Sequence, residues 1–182
     1  MGTRGLVGYQ LDGKLCALYN HFDSYPDGLG TKVVSCINSF LRPMEDSYET
    51  LILKAAQSLD WTSDLDQIVP PIKAEELPAL LSGRVLGLVC SNKNVRDYYT
   101  NPTPMFSEAN FLKDLLFCEW AYILDLDNKE FLIRGNGVWL SFPLFKIPKD
   151  WATTATIKAL EASIETKMSL VSKNETVVPK TK

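Results

Sequence analysis

The chain offers few residues that could do chemistry. His21 is its one histidine, set in Asn20-His21-Phe22-Asp23-Ser24. A single imidazole cannot build a multi-histidine metal site. The four cysteines, Cys16, Cys36, Cys90 and Cys118, form no C-x-x-C pair that could stand in for one. No metal and no cofactor is therefore expected. His21, Asp23 and Ser24 supply the residue types of a hydrolytic triad, but triads are usually assembled from distant elements, which leaves His21 as a structural or ligand-binding side chain. Gly28-Leu29-Gly30-Thr31-Lys32 stands just before an expected helix. Glycines allow close approach and free N–H groups at a helix start favour an anion, although the order Gly-Thr-Lys is not that of a Walker loop. The plainer reading is that the glycines serve a turn and a cap. Lys32 and Arg4 add positive charge at this end of the chain. Asp125 and Asp127 approach an expected hairpin turn, and strand alternation places both on one face. Paired carboxylates there could hold a divalent cation or act as acid and base, or stay solvated as ordinary turn residues.

The elements that must position these residues follow from periodicity. Residues 5–11 and 15–21 read as strands around Asp12-Gly13, a hairpin turn signal. Residues 22–30 read as a loop, because Pro26, Gly28 and Gly30 interrupt any regular element. A helix is predicted over 31–42, with Val33, Ile37, Phe40 and Leu41 on one face and Arg42-Pro43 as its stop. A second is predicted over 47–59, with Asp46 and Glu49 as a capping box. A short helix over 73–82, an apolar strand over 84–90 and a long loop over 91–105 follow. Ser107 should cap a helix to 117, with Phe106 and Phe111 as its hydrophobic staple. A second hairpin, 119–126 and 129–134, turns at Asp127-Asn128, and a third strand covers 138–142. Trp120, Tyr122 and Trp139 read as core or sheet-face aromatics. The last helix, 151–171, carries Ile157, Leu160, Ile164, Met168 and Val171 at helical spacing.

The 182 residues fit one domain, expected over 1–171, with a disordered polar tail over 172–182. The expected class is α+β: an N-terminal hairpin, central helices, a second hairpin and strand forming an antiparallel sheet, and a C-terminal helix. The net charge of −3 gives no electrostatic footprint for a nucleic-acid backbone. No apolar run is long enough to span a membrane. The start has no apolar region of a signal peptide, and Leu6 stands where a myristoylation motif wants Ser or Thr. The cysteines, each in an apolar segment, read as reduced thiols of a cytoplasmic protein.

The first thirty residues carry a resemblance. Gly2-Thr3-Arg4, then Tyr19-Asn20-His21-Phe22-Asp23-Ser24-Tyr25-Pro26-Asp27-Gly28-Leu29-Gly30, resembles a family of small microbial and viral proteins. Those begin Gly-Thr-Arg and carry an aromatic-Asp-(Gly/Ser)-Tyr-Pro-x-Gly-x-Gly loop, with a weaker echo at Glu119–Asp127. Asn20-His21-Phe22 and Ser24 stand where many members have Gln-Trp and Gly. The resemblance implies positions and no mechanism. More loosely, the start is similar to N-terminal nucleophile hydrolases, whose Thr, Ser or Cys uses its own α-amino group as base. That likeness implies Thr3 as nucleophile once Met1-Gly2 is removed.

Three functions are thus expected. The first is a binding protein for a small anionic ligand such as a nucleotide, an accessory or signal-sequestering factor, held by Arg4, His21, Asp23, Tyr25, Gly28, Gly30, Thr31 and Lys32. The second is an amidohydrolase using Thr3. The third is a protein–protein module presenting the 91–105 loop and the hairpin surface.

Overall fold

The computed structural model describes residues 2–62, 75, 77–78 and 105–175. Strands β1 (Gly5–Leu11) and β2 (Lys14–Asn20) form the expected first hairpin. Asp12 and Gly13 both have positive φ, 51° and 71°, as a tight hairpin turn of this twist requires. A two-residue parallel pair follows, β3 (Trp61–Thr62) with β4 (Met105–Phe106). Strands β5 (Trp120–Asp125), β6 (Glu130–Gly135) and β7 (Val138–Pro143) form the second hairpin and its third strand. The class is α+β, and the five-stranded sheet runs β2-β1-β5-β6-β7. It is mixed rather than purely antiparallel, because β1 and β5 join the two halves in parallel.

Both faces of this sheet are covered. On one, Val7, Tyr9, Leu18, Tyr122, Leu124, Phe131 and Ile133 pack under the helices. On the other, Leu6, Ala17, Cys118, Ala121 and Ile123 pack under Phe111 and Leu112. Buried on two sides, β5 reads as a continuous apolar run and not as an alternating one.

The helical layer starts earlier than its sequence suggests. The chain is already wound at Pro26–Gly30, continues as α1 (Thr31–Cys36), and widens again at Ile37–Leu41. Pro is well placed in such a first turn because its missing N–H has no partner there. Arg42–Ser47 tightens into a 3-10 turn around Pro43, and Tyr48–Leu53 leads into α2 (Lys54–Ser58). No side chain caps the Tyr48 turn, so the expected capping box does not form.

The expected helix from Ser107 is a short 3-10 turn, Ala109–Lys113. Its polar side chains bond elsewhere. Ser107 Oγ accepts the Ala17 N–H at 3.3 Å, and Glu108 Oε2 accepts that of Tyr19 at 2.7 Å. Both bonds cover the outer edge of β2. Asp114 Oδ1 then takes the amides of Leu116 and Phe117, which closes the segment.

The last helix, α3 (Trp151–Glu175), runs past residue 171 into the expected tail. Its orientation is set by a different face from the row that the sequence spacing picks out. Trp151, Ala155 and Ala159 are buried, with Trp151 packed edge-on against Tyr122 and Phe131. Ile157, Leu160 and Ile164, the row expected at helical spacing, are 49, 56 and 57 % exposed. The strand predicted over 84–90 and the loop over 91–104 lie outside the described residues, as does most of the helix predicted over 73–82. Among the described residues, no helix is long and apolar enough to cross a membrane.

Candidate functional site

The segment Asn20–Thr31 is held chiefly through its backbone and through Asn20, Ser24 and Thr31. Asn20 Nδ2 donates to Ser24 Oγ at 2.7 Å and to the Phe22 carbonyl. The Ser24 N–H donates to the Thr3 carbonyl, and the Ser24 carbonyl accepts the Tyr122 hydroxyl at 2.8 Å. Burial holds the Tyr122 phenol well above its ordinary range, and the negative charges of Asp27 and Asp23 add to this. Tyr122 therefore remains a donor to Ser24.

The helix start beyond this loop is not free to hold an anion on its backbone. Gly28 and Gly30 donate their N–H groups to the Tyr25 carbonyl, Leu29 donates to that of Asp23, and Thr31 to that of Gly28. The Thr31 hydroxyl donates to the Pro26 carbonyl at 3.0 Å. These bonds satisfy the donors expected to cradle a ligand. The glycines are there for space. A Cβ on Gly28 would sit 2.4 Å from Asp23 Oδ1, and one on Gly30 would sit 2.6 Å from the Trp151 ring. Asp23, at φ 56°, brings its carboxylate against Gly28.

The remaining expected ligand-binding residues disperse. Arg4 lies over the Phe117 ring, its guanidinium carbon 5.0 Å from the centroid. His21 Nδ1 shares a 2.9 Å hydrogen bond with the Tyr19 hydroxyl, and its ring meets Phe22 edge-on. Lys32 Nζ pairs with Glu75 at 3.0 Å. Thr3 is 2 % exposed, and its Oγ1 has no hydrogen-bond partner. In the intact chain this hydroxyl is closed to a substrate. The carboxylates expected on one face are also parted. Asp125 is buried and takes the amide and side chain of Asn128, whereas the exposed Asp127 takes the Asp12 and Gly13 amides. Among the described residues, no group of three or more His, Cys, Asp or Glu could hold a metal.

Of the expected residues, Tyr25 lines an open cleft. This cleft, of about 760 Å³, lies between the Tyr25–Asp27 turn, the Glu119–Trp120 start of β5, and α3. Asn136 also lines it, its Nδ2 donating to the Ala159 carbonyl at 3.2 Å. Thr156, Ile157 and Leu160 form the helical wall. Asp27 and Glu119 are the charged residues of the lining, and no Lys, Arg or His joins them among the described residues. Sequence reasoning missed Asp27, Glu119 and Asn136. Asp27 lies inside the conspicuous loop, but nothing in the spacing sets it opposite α3. No protein-family model, curated protein or solved structure matches the chain.

Proposed function

We propose that the chain is a small-ligand-binding protein and that its ligand occupies the cleft between Tyr25–Asp27 and α3. The observation that carries this reading is the cleft itself. Its volume of about 760 Å³ falls in the range of small-molecule sites, about 300–1,000 Å³, and it combines apolar walls with a few polar groups. Its charge turns the expected ligand around. Two carboxylates without a cationic side chain in the described lining suit a cationic or neutral ligand better than a nucleotide. An aromatic or aliphatic amine would place its body along Ile157 and Leu160 and its ammonium beside Asp27 or Glu119.

Thermal-shift screening of amines against nucleotides tests this. Amines should raise the melting temperature, and Glu119→Gln should reduce that rise without unfolding the protein. Stabilisation by nucleotides alone, or by neither class, would overturn the reading. The buried Thr3 hydroxyl gives the hydrolase alternative no support in the intact chain. A protein-interaction module is a second reading. Leu115 and Leu116, 75 and 76 % exposed, stand on the turn fixed by Asp114. Replacing both with Ser should abolish partner capture without altering the melting temperature; unchanged capture would remove this reading.

A further inference from the structure

We infer that α3 pairs with α3 of a second copy of this chain, antiparallel, about a two-fold axis at Ile164. The argument begins with the inverted face of the helix. At 100° per residue, Ile157, Leu160 and Ile164 lie opposite Trp151, Ala155 and Ala159. Beyond Trp151, the helix thus packs its alanines on the body and turns its larger aliphatic residues outward. Three large apolar side chains in one exposed row, two of them at the cleft and Ile164 beyond it, form a continuous face and not scattered surface residues.

The helix also outruns its support. It is 25 residues long, about 37 Å at the α-helical rise. Between 160 and 166 no residue is buried, and only Ala162 and Ser163 are even half-covered. A stretch of helix with so little tertiary contact is marginal in water by itself, so a covering surface contributes to its existence.

The row identifies its own occupant. In the sequence its spacing continues through Met168 and Val171, so positions 157, 160, 164, 168 and 171 are separated by 3, 4, 4 and 3 residues. That pattern is the same read from either end. Laid antiparallel on itself, position 157 meets 171, 160 meets 168, and 164 meets 164. A two-fold interface requires this self-complementarity, in which each contact between two positions is repeated with the copies exchanged. The exposed Glu161 and Glu165 flank the row on one side. Lys158 lies on the same flank and pairs with Glu161 at 3.1 Å, so the charges there are largely balanced and the pairing should rest on the apolar row.

The pairing and the ligand proposal compete for Ile157 and Leu160, which line the cleft. Ile164 does not line it, so a variant at 164 tests the pairing apart from the ligand. The test is sedimentation of the full chain over a range of concentrations. The wild-type chain should reach the mass of two copies, and Ile164→Glu should remain a single copy with the same near-ultraviolet circular dichroism. A short bismaleimide should link Ile164→Cys to itself above the wild-type background but not Ile157→Cys, because position 157 faces 171. A wild-type chain that stays single at every concentration would overturn the inference, as would dimerisation unaffected by Ile164→Glu. Equal linking at 157 would mean parallel pairing and would overturn it too. A single-copy chain that loses helix content on Ile164→Glu would show that the row is covered within the chain, with the same result.

Discussion

The Asn20–Thr31 loop and the outer face of α3 invert the meaning of their sequences. The loop has the residues of a binding site, yet its glycines make room for Asp23 and Trp151, and its amides bond within the turn. The helix has the pattern of a core element, yet its large aliphatic row faces water. The loop meets the inner face of the same helix at Gly30, where the Trp151 ring leaves no space for a Cβ. Polar and glycine-rich segments can be structural when a sheet folds over them. Apolar periodicity says that a helix has a face, but not what covers it.

Substitutions where the two regions meet should have the largest effect. Gly30→Ala keeps an allowed backbone, φ −56°, and would gain helix propensity on an open surface. Here the added methyl meets Trp151 at 2.6 Å and the Tyr122 hydroxyl at 2.9 Å. Overpacking of this kind costs about 1–3 kcal/mol, which urea denaturation would read. A neutral or stabilising Gly30→Ala would return that glycine to a ligand-related role. On α3 the two faces can be compared directly. Ala159→Leu should cost about 1–3 kcal/mol by overpacking the buried side, while Leu160→Ala should stay within about 0.5 kcal/mol in dilute protein. The reverse order would mean that the aliphatic row, and not the alanine side, is the packed face.

Much of the fold was legible because it rests on local rules. Asp12-Gly13 marks the first hairpin, and the aromatic and β-branched runs mark β5 and β6. The parallel joint between β1 and β5 was not legible, since strand pairing across more than a hundred residues leaves no trace in either segment. The 3-10 turn at Ala109–Lys113 was hidden for another reason. Ser107 and Glu108 are cap-type residues, but their side chains are taken by the edge of β2. At the site, Tyr25 was found through its motif, while Asp27, Glu119 and Asn136 become neighbours of α3 only through tertiary packing.

Thr3 sharpens the contrast by its sign. Its hydroxyl is buried beside the loop with no partner, so it contributes desolvation cost and no hydrogen bond. Thr3→Val retains the shape and removes that group. It should stabilise the protein, by up to about 1–2 kcal/mol, as measured by thermal or urea unfolding. A destabilised Thr3→Val would mean that the hydroxyl has a partner, and the nucleophile reading would then regain its footing.

The smallest expected effect lies at Asp127, another carboxylate whose position suggested chemistry. Its Oδ1 and Oδ2 accept the Asp12 and Gly13 amides at 2.8 and 3.0 Å, tying the tip of the first hairpin to the start of the second hairpin's turn. The Gly13 and Asp12 amide bonds hold its carboxyl below the usual aspartate range. A carboxyl with a lowered folded-state pKa binds its proton more readily in the unfolded chain. Its contribution is therefore complete above the ordinary aspartate pKa and declines as the pH falls through the lowered folded value. Asp127→Asn should flatten the acid limb of a stability-against-pH curve and leave the neutral-to-basic limb parallel to that of the wild type. Because the carboxylate is solvated, the difference should be slight and should shrink in high salt. An acid limb unchanged by Asp127→Asn would leave the link between the hairpins to backbone pairing alone, chiefly that of β1 with β5.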